Sequence, residues 1–224
     1  MPPRQGITPL GPLEFCTLDT NPLALVEDHP DKEGNAVDLG GHSVEQWTTA
    51  LTEALELIRE ALPEWHAELG RTGRRVVPVG FEEQRHLSAS YREAPGVAYL
   101  SLHPSTLTLA EALVHETQHT KLNLLSWFDP VLKNGRSTWT ESPVRPDLRP
   151  LMGVLLAAHA FVPVAALHRR MQEAGLGGPE LEARRVEVLA SNTRSLEVLD
   201  ELADPTPSGK RLLNDLRVLH EAVA

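Results

Sequence analysis

A helix predicted over about residues 105–127 carries the motif His115-Glu116-x-x-His119 in otherwise apolar surroundings. Residues four apart on a helix lie on one face, about one turn apart, so both imidazoles can reach a single divalent ion. Glu116 lies beside them, where its carboxylate can contact a metal-bound water. Leucines one turn before and after the motif indicate a buried helix, which favours a metal site over two surface histidines.

The motif leaves one metal ligand to be found, because a catalytic metal usually has three protein ligands and an open position. His159 is the preferred third ligand, since it lies in the apolar segment LLAAHAFVPVA while the two-histidine site still lacks a partner. Pro163 cannot donate to the carbonyl of His159 and is expected to distort the helix there. The carboxylate alternatives that stay open are Glu173, Glu141 and Asp147.

An arginine-rich segment, with Arg145, Asp147 and Arg149, lies between the motif helix and the His159 segment. Arginine forms bidentate pairs with carboxylates, so one of these side chains can bind the carboxylate of a substrate or cosubstrate. Arg149 is the better candidate because it stands at the start of the next helix. The alternative is structural: Asp147 caps that helix and pairs with an arginine.

The chain as a whole predicts an α+β fold that is mostly α-helical. The motif helix is expected beside a small β-sheet in a zincin-like arrangement, followed by C-terminal helices. Residues 1–42 are rich in Pro, Gly and Asp and predict an irregular segment, and residues 43–224 predict a single domain. Its first helix is expected to begin at Ser43, with Gln46 placed for a capping box, and to end near residue 70.

Two strands are expected, over 74–80 and 96–102, and Pro78 places the first of them at a sheet edge or shortens it. Residues 129–149 predict a loop, and Pro150 suits the first turn of the next helix. The three helices expected after the loop cover about residues 150–171, 180–202 and 207–222.

Composition excludes several classes of function. The chain has 31 acidic and 21 basic residues, and a formal charge of -10 does not favour a nucleic-acid binder, which usually needs a basic face. Cys16 is the one cysteine, so no intramolecular disulfide is possible and a reducing compartment is expected. The longest apolar stretch, 152–167, is shorter than the roughly 20 residues that cross a bilayer. A soluble cytoplasmic protein without a membrane partner is expected.

Two stretches, LVHETQHTKLNLL and SPVRPDLRPLMGVLLAAHAFVPVAALHRR, together resemble a known family. Over about residues 75–175 they are similar to the HExxH-motif domains of clusters that modify ribosomally synthesised peptides (RiPPs). Those domains stand alone or are fused to radical SAM peptide cyclases. Val144 stands where a tryptophan is expected. The matching positions are 113–119, Lys121, Leu122, Arg145, Asp147, Arg149, Pro150 and Leu151.

The resemblance implies an iron(II)- and 2-oxoglutarate-dependent dioxygenase that hydroxylates side-chain β-carbons of a precursor peptide. Three protein ligands on one face would leave positions for a bidentate 2-oxo acid and for O₂. Three neutral histidines depart from the usual two-histidine, one-carboxylate set, so Glu116 would then be an outer group or a further ligand. The residues implied are His115, His119 and His159 for the metal, with Arg149 or Arg145 for 2-oxoglutarate.

A zinc (Zn²⁺) metallopeptidase is the alternative enzyme. Glu116 would then be general base to a zinc-bound water, and strand 96–102 would bind an extended peptide by strand addition. A non-catalytic module with a structural metal is a third possibility, and it would need a fourth ligand from His103 or His168. These two are more simply explained as a residue at a strand end and a solvated residue at a helix end.

Overall fold

The computed structural model describes residues 6–19, 21, 37–141 and 147–224, which form a mostly helical α+β fold. The predicted fold class is confirmed. The helices are α1 Val44–Ala61, α2 Pro63–Thr72, α3 Thr106–Ser126, α4 Leu151–Glu173, α5 Pro179–Leu202 and α6 Pro207–Val223. The strands are β1 Ile7–Leu10, β2 Leu13–Cys16, β3 Arg75–Phe81, β4 Ser88–Ala89, β5 Val97–Leu102, β6 Trp139–Glu141 and β7 Leu148–Pro150.

Contacts between residues divide the chain into two compact units, Met1–Thr120 and Lys121–Ala224. The first unit contains strands β1 to β5 with α1 and α2. The second contains the β6–β7 hairpin with α4, α5 and α6. Helix α3 begins in the first unit and ends in the second.

The sheet of the first unit is mixed, with strand order β1-β2-β3-β5-β4. β1 and β2 form an antiparallel hairpin around Gly11, whose φ of 54° lies in the left-handed region that favours glycine. β2, β3 and β5 run parallel, and β4 pairs antiparallel with β5. The expectation that residues 1–42 are irregular is therefore wrong for β1 and β2. Strands of four residues are too short to show a sustained alternation.

Pro78 does not place β3 at an edge, because β3 lies between β2 and β5. The pairing of β3 with β5 shifts register between Pro78 and Phe81, so the missing N–H of proline falls next to an irregularity. The Pro78 carbonyl accepts a hydrogen bond from the backbone N–H of Asp38 at 3.0 Å.

The first predicted helix is interrupted. The capping box at its start is confirmed: Ser43 Oγ accepts from Gln46 N at 3.1 Å, and Gln46 Oε1 accepts from Ser43 N at 2.8 Å. The helix ends at Ala61 and α2 begins at Pro63. Proline disfavours helical geometry in the residue before it, and Leu62 has φ −140° and ψ 69°.

Alternation along β5 directs its side chains to the two faces of the sheet. Val97 and Tyr99 pack with Cys16, Val77 and their neighbours on one face of the sheet. Ala98 lies between them in sequence, so its side chain is on the opposite face. Ala98 lines a crevice together with Leu113 and Thr117 of α3, so α3 covers this opposite face.

In the second unit α4 packs against α5 and α6 around a leucine- and valine-rich core. The predicted loop 129–149 is corrected, since β6 and β7 pair antiparallel within it. Each is three residues long and forms through a partner that sequence periodicity does not reveal. Pro150 ends β7, and α4 begins one residue later and continues past Pro163.

Among the described helices, α4 is the one that is long and apolar enough to cross a membrane. In the structure 72% of its apolar window is buried within the protein. Such burial against α5 and α6 is typical of the core helix of a soluble protein.

Candidate metal centre

Helix α3 brings His115, Glu116 and His119 together, as the motif spacing predicts. The two imidazole centroids are 4.3 Å apart and the rings are nearly perpendicular, at 83°. Glu116 Oε1 lies 3.9 Å from His115 Nε2. One possible ligand atom from each of the three residues lies within 4.8 Å of the others. This spacing is compatible with one shared ion.

The start of α3 is held by side chains at the end of β5. His103 Nδ1 accepts a hydrogen bond from Ser105 N at 3.0 Å, and Ser105 Oγ accepts one from Thr108 N at 3.3 Å. Because Nδ1 of His103 is the acceptor, its neutral ring carries the proton on Nε2. His103 is therefore a strand-end residue that supports the helix start.

The donor set of the motif fits a divalent metal. Burial lowers the pKa of His119, and the nearby Glu116 carboxylate opposes that shift only in part. A metal-binding histidine must be neutral, and burial favours that form. Glu116 is 2% exposed, and within the described residues neither its Oε2 nor His119 Nδ1 has a hydrogen-bond partner. Two imidazoles beside a carboxylate suit iron(II) and zinc alike.

Glu111 is a buried carboxylate that the sequence reasoning missed. It lies one turn before His115 on α3. Among the described residues, the buried acidic side chains are Glu111 and Glu116. Its signal in the sequence is an acidic residue inside the apolar run LTLAEALV. Its charge also acts on His86, raising the pKa of that residue slightly against a larger opposite shift from burial.

A narrow crevice lies between α3 and the sheet, and Glu116 forms part of its wall. The α3 residues of the wall recur at intervals of three and four, so they lie on the helix face toward the sheet. All of the lining residues belong to the first unit. They are Leu13, Gly73, Arg74, Arg75, Gly96, Ala98, Leu113, Glu116, Thr117 and Thr120.

The predicted third ligand and the predicted cosubstrate arginines belong elsewhere in the chain. His159 is a buried residue of α4, in the second unit. Arg149 also belongs to the second unit, where its Nε lies 3.2 Å from Asp147 Oδ2. Arg145 lies outside the described residues. The roles of all three residues toward the motif therefore stay predictions.

The structural alternative for Asp147, a helix cap paired with an arginine, is confirmed for the ion pair and wrong for the cap. The ion pair with Arg149 is present, whereas no side chain caps α4 and Pro150 occupies its N-cap position. The other carboxylate alternatives lie in exposed places. Glu173 accepts hydrogen bonds from Arg169 and Arg170 at the end of α4, and Glu141 is an exposed residue of β6.

Two further expectations are corrected. His168 is fully buried in the second unit rather than solvated, because α4 is covered almost to its end. Strand β5 cannot accept a peptide along its length, since β3 pairs with one side and β4 with the other. Among the described strands, the edges of this sheet are β1 and β4, and β4 pairs Ser88 with Leu100 and Ala89 with Tyr99.

We expect His86 to make the stability of the first unit sensitive to acid. Its Nε2 donates to the Ser101 carbonyl at 2.9 Å, and burial lowers the pKa of His86 to about 4 from an unfolded value near 6.5. Below pH 6.5 the unfolded chain binds a proton that the folded chain excludes, so the stabilising effect is lost as pH falls toward 4. We expect the free energy of unfolding to fall over this window by up to roughly 3 kcal/mol.

Urea unfolding of the parent and of His86→Gln at several pH values measures this loss. The glutamine keeps an N–H donor for Ser101 but does not titrate, so its stability should depend less on pH between 6.5 and 4. Parallel pH profiles for the two proteins would show that His86 is not the group responsible.

No protein-family model matches the chain, and no curated protein sequence matches it.

Proposed function

We propose that the protein is an iron(II)- and 2-oxoglutarate-dependent hydroxylase that acts on side-chain β-carbons of a ribosomally made precursor peptide in the cytoplasm. The observation that carries the proposal is the convergence of His115, Glu116 and His119 on one buried helix. The choice of iron over zinc rests on the sequence resemblance, which extends from this motif to the segment that contains Arg149.

The chain's own residues have distinct roles under this proposal. His115 and His119 hold the metal in their neutral form, and His159 is proposed as the third ligand. Arg149 or Arg145 binds a carboxylate of 2-oxoglutarate through paired N–H donors. The bound iron would supply oxygen activation coupled to decarboxylation of 2-oxoglutarate. Glu116 stands beside the ligands, where it can orient groups near the metal.

The test is a reconstitution with iron(II) under anaerobic conditions, followed by addition of 2-oxoglutarate, oxygen and a precursor peptide encoded next to the protein's gene. We expect succinate release in step with a mass increase of one oxygen atom on the peptide. Omission of 2-oxoglutarate or oxygen should abolish both signals. Oxidation of the peptide that persists without 2-oxoglutarate would overturn the proposal.

A zinc metallopeptidase is the second candidate, and the antiparallel edge strand β4 favours it. No described strand pairs with the outer side of β4, so an extended peptide could add to the sheet there. Glu116 would act as general base on water at the metal. Zinc-loaded protein that cleaves the same peptide, with loss of cleavage in Glu116→Gln, would establish this function in place of the first.

A further inference from the structure

Glu116 lies at the boundary between two faces of α3. At 100° per residue, it falls between His119, on the metal-binding side, and Thr120, on the side that faces the sheet. Its Oε1 is 3.9 Å from His115 Nε2, which places one carboxylate oxygen toward the motif. Its Oε2 is buried and has no hydrogen-bond partner within the described residues.

A buried carboxylate oxygen without a partner is costly, so a ligand that donates a hydrogen bond to it is expected. The crevice beside Glu116 can supply such a ligand. The space within it that a water molecule can occupy is about 10 Å³. This is close to the minimum of roughly 10–15 Å³ that one water molecule requires.

The lining of the crevice is mainly apolar but includes polar groups that can bond to a water molecule. Thr117 and Thr120 line it, and both side chains are buried. The Thr117 hydroxyl donates to the Leu113 carbonyl at 2.8 Å, so its oxygen keeps lone pairs that can accept a further hydrogen bond. A buried water typically needs two to four polar partners, and the carboxylate with the two hydroxyl groups meets that need.

We propose that the crevice binds one ordered water molecule, which donates to Glu116 Oε2 and to the Thr117 hydroxyl and holds the carboxylate against the sheet side of α3. Glu116 is then a positioning group beside the metal ligands and not the third ligand itself. The inference deepens the metal site proposed above. The water site itself lies wholly in the first unit and does not depend on which metal binds.

High-resolution crystal structures of the metal-free and cobalt(II)-loaded protein test the proposal. We expect one water peak within hydrogen-bond distance of Glu116 Oε2 in both forms. Ala98→Val adds two methyl groups on the α3 side of β5 and should remove the peak. Thr117→Val removes the hydroxyl at nearly constant volume and should weaken it, while the matched control Thr117→Ser should retain it.

Metal analysis tests whether Glu116 is a positioning group or a metal ligand. Glu116→Gln keeps a side-chain amide that can bond the water, so it should retain both the peak and one cobalt ion per chain. The proposal is overturned if the metal-free parent shows no water in the crevice. It is also overturned if both Glu116 oxygens contact cobalt, or if Glu116→Gln loses the metal. Because the water is read in metal-free protein, failure of the metal proposal is distinguishable from failure of this one.

Discussion

His119→Ala should lower the affinity of the chain for a divalent ion by more than about a hundredfold, since loss of groups that merely support a metal ligand already costs about 10- to 100-fold. His119 is one of only two histidines in the cluster on α3, and its burial favours the neutral form that a metal requires. Competition between the protein and a chromophoric chelator for cobalt(II) or zinc measures the dissociation constant.

His66→Ala is the matched control. His66 lies on α2, outside the cluster, so the same substitution there should leave the dissociation constant unchanged. Unchanged metal affinity in His119→Ala, with the fold intact by circular dichroism, would remove His119 from the set of ligands. The two-histidine basis of the proposed function would then fail.

The substitution Gly209→Ala should destabilise the second unit by more than about 3 kcal/mol, because overpacking against a fixed backbone has no inexpensive relief. A Cβ at Gly209 would lie 2.0 Å from the Val131 carbonyl oxygen. Val131 is itself constrained, with a φ of 64° that is rare for a β-branched residue. Two hydrogen bonds hold Val131 in place. Val131 N donates to Asp129 Oδ1 at 2.7 Å, and Thr206 N donates to Val131 O at 2.9 Å.

Gly153→Ala is the control for this prediction, since it makes the same change inside α4. The nearest atom to a Cβ at Gly153 is Arg149 Cβ at 3.6 Å, an ordinary contact. Alanine is preferred to glycine within a helix, so this variant should be more stable by roughly 0.5–1 kcal/mol. Chemical denaturation of both variants gives the comparison, and equal stabilities would contradict the predicted clash at Gly209.

Local sequence signals predicted the helices well and the short strands poorly. The capping box at Ser43 and the prolines that begin α5 and α6 act within one turn, so they can be read from neighbouring residues. The strands β1, β2, β6 and β7 have three or four residues each and exist through pairing with partners. Periodicity cannot be recognised over such lengths.

The same distinction applies to the candidate site. His115, Glu116 and His119 could be predicted because helix geometry alone brings residues four apart together. The crevice could not, since its walls come from β2, β3, β5 and α3. The burial of Glu111 also depends on tertiary packing around α3 and left only a weak sequence signal, an acidic residue within an apolar run.

The boundary between the two compact units falls at Thr120, one residue after His119. Each carbonyl of a helix accepts a hydrogen bond from the N–H group four residues further on. The carbonyls of residues 117–119 therefore need the N–H groups of residues 121–123 as donors. A polypeptide cut at the boundary would leave the motif as a fraying helix end. The motif and residues 121–123 belong to one continuous helix, so a shortened chain that ends at Thr120 should not preserve the helical geometry of the motif.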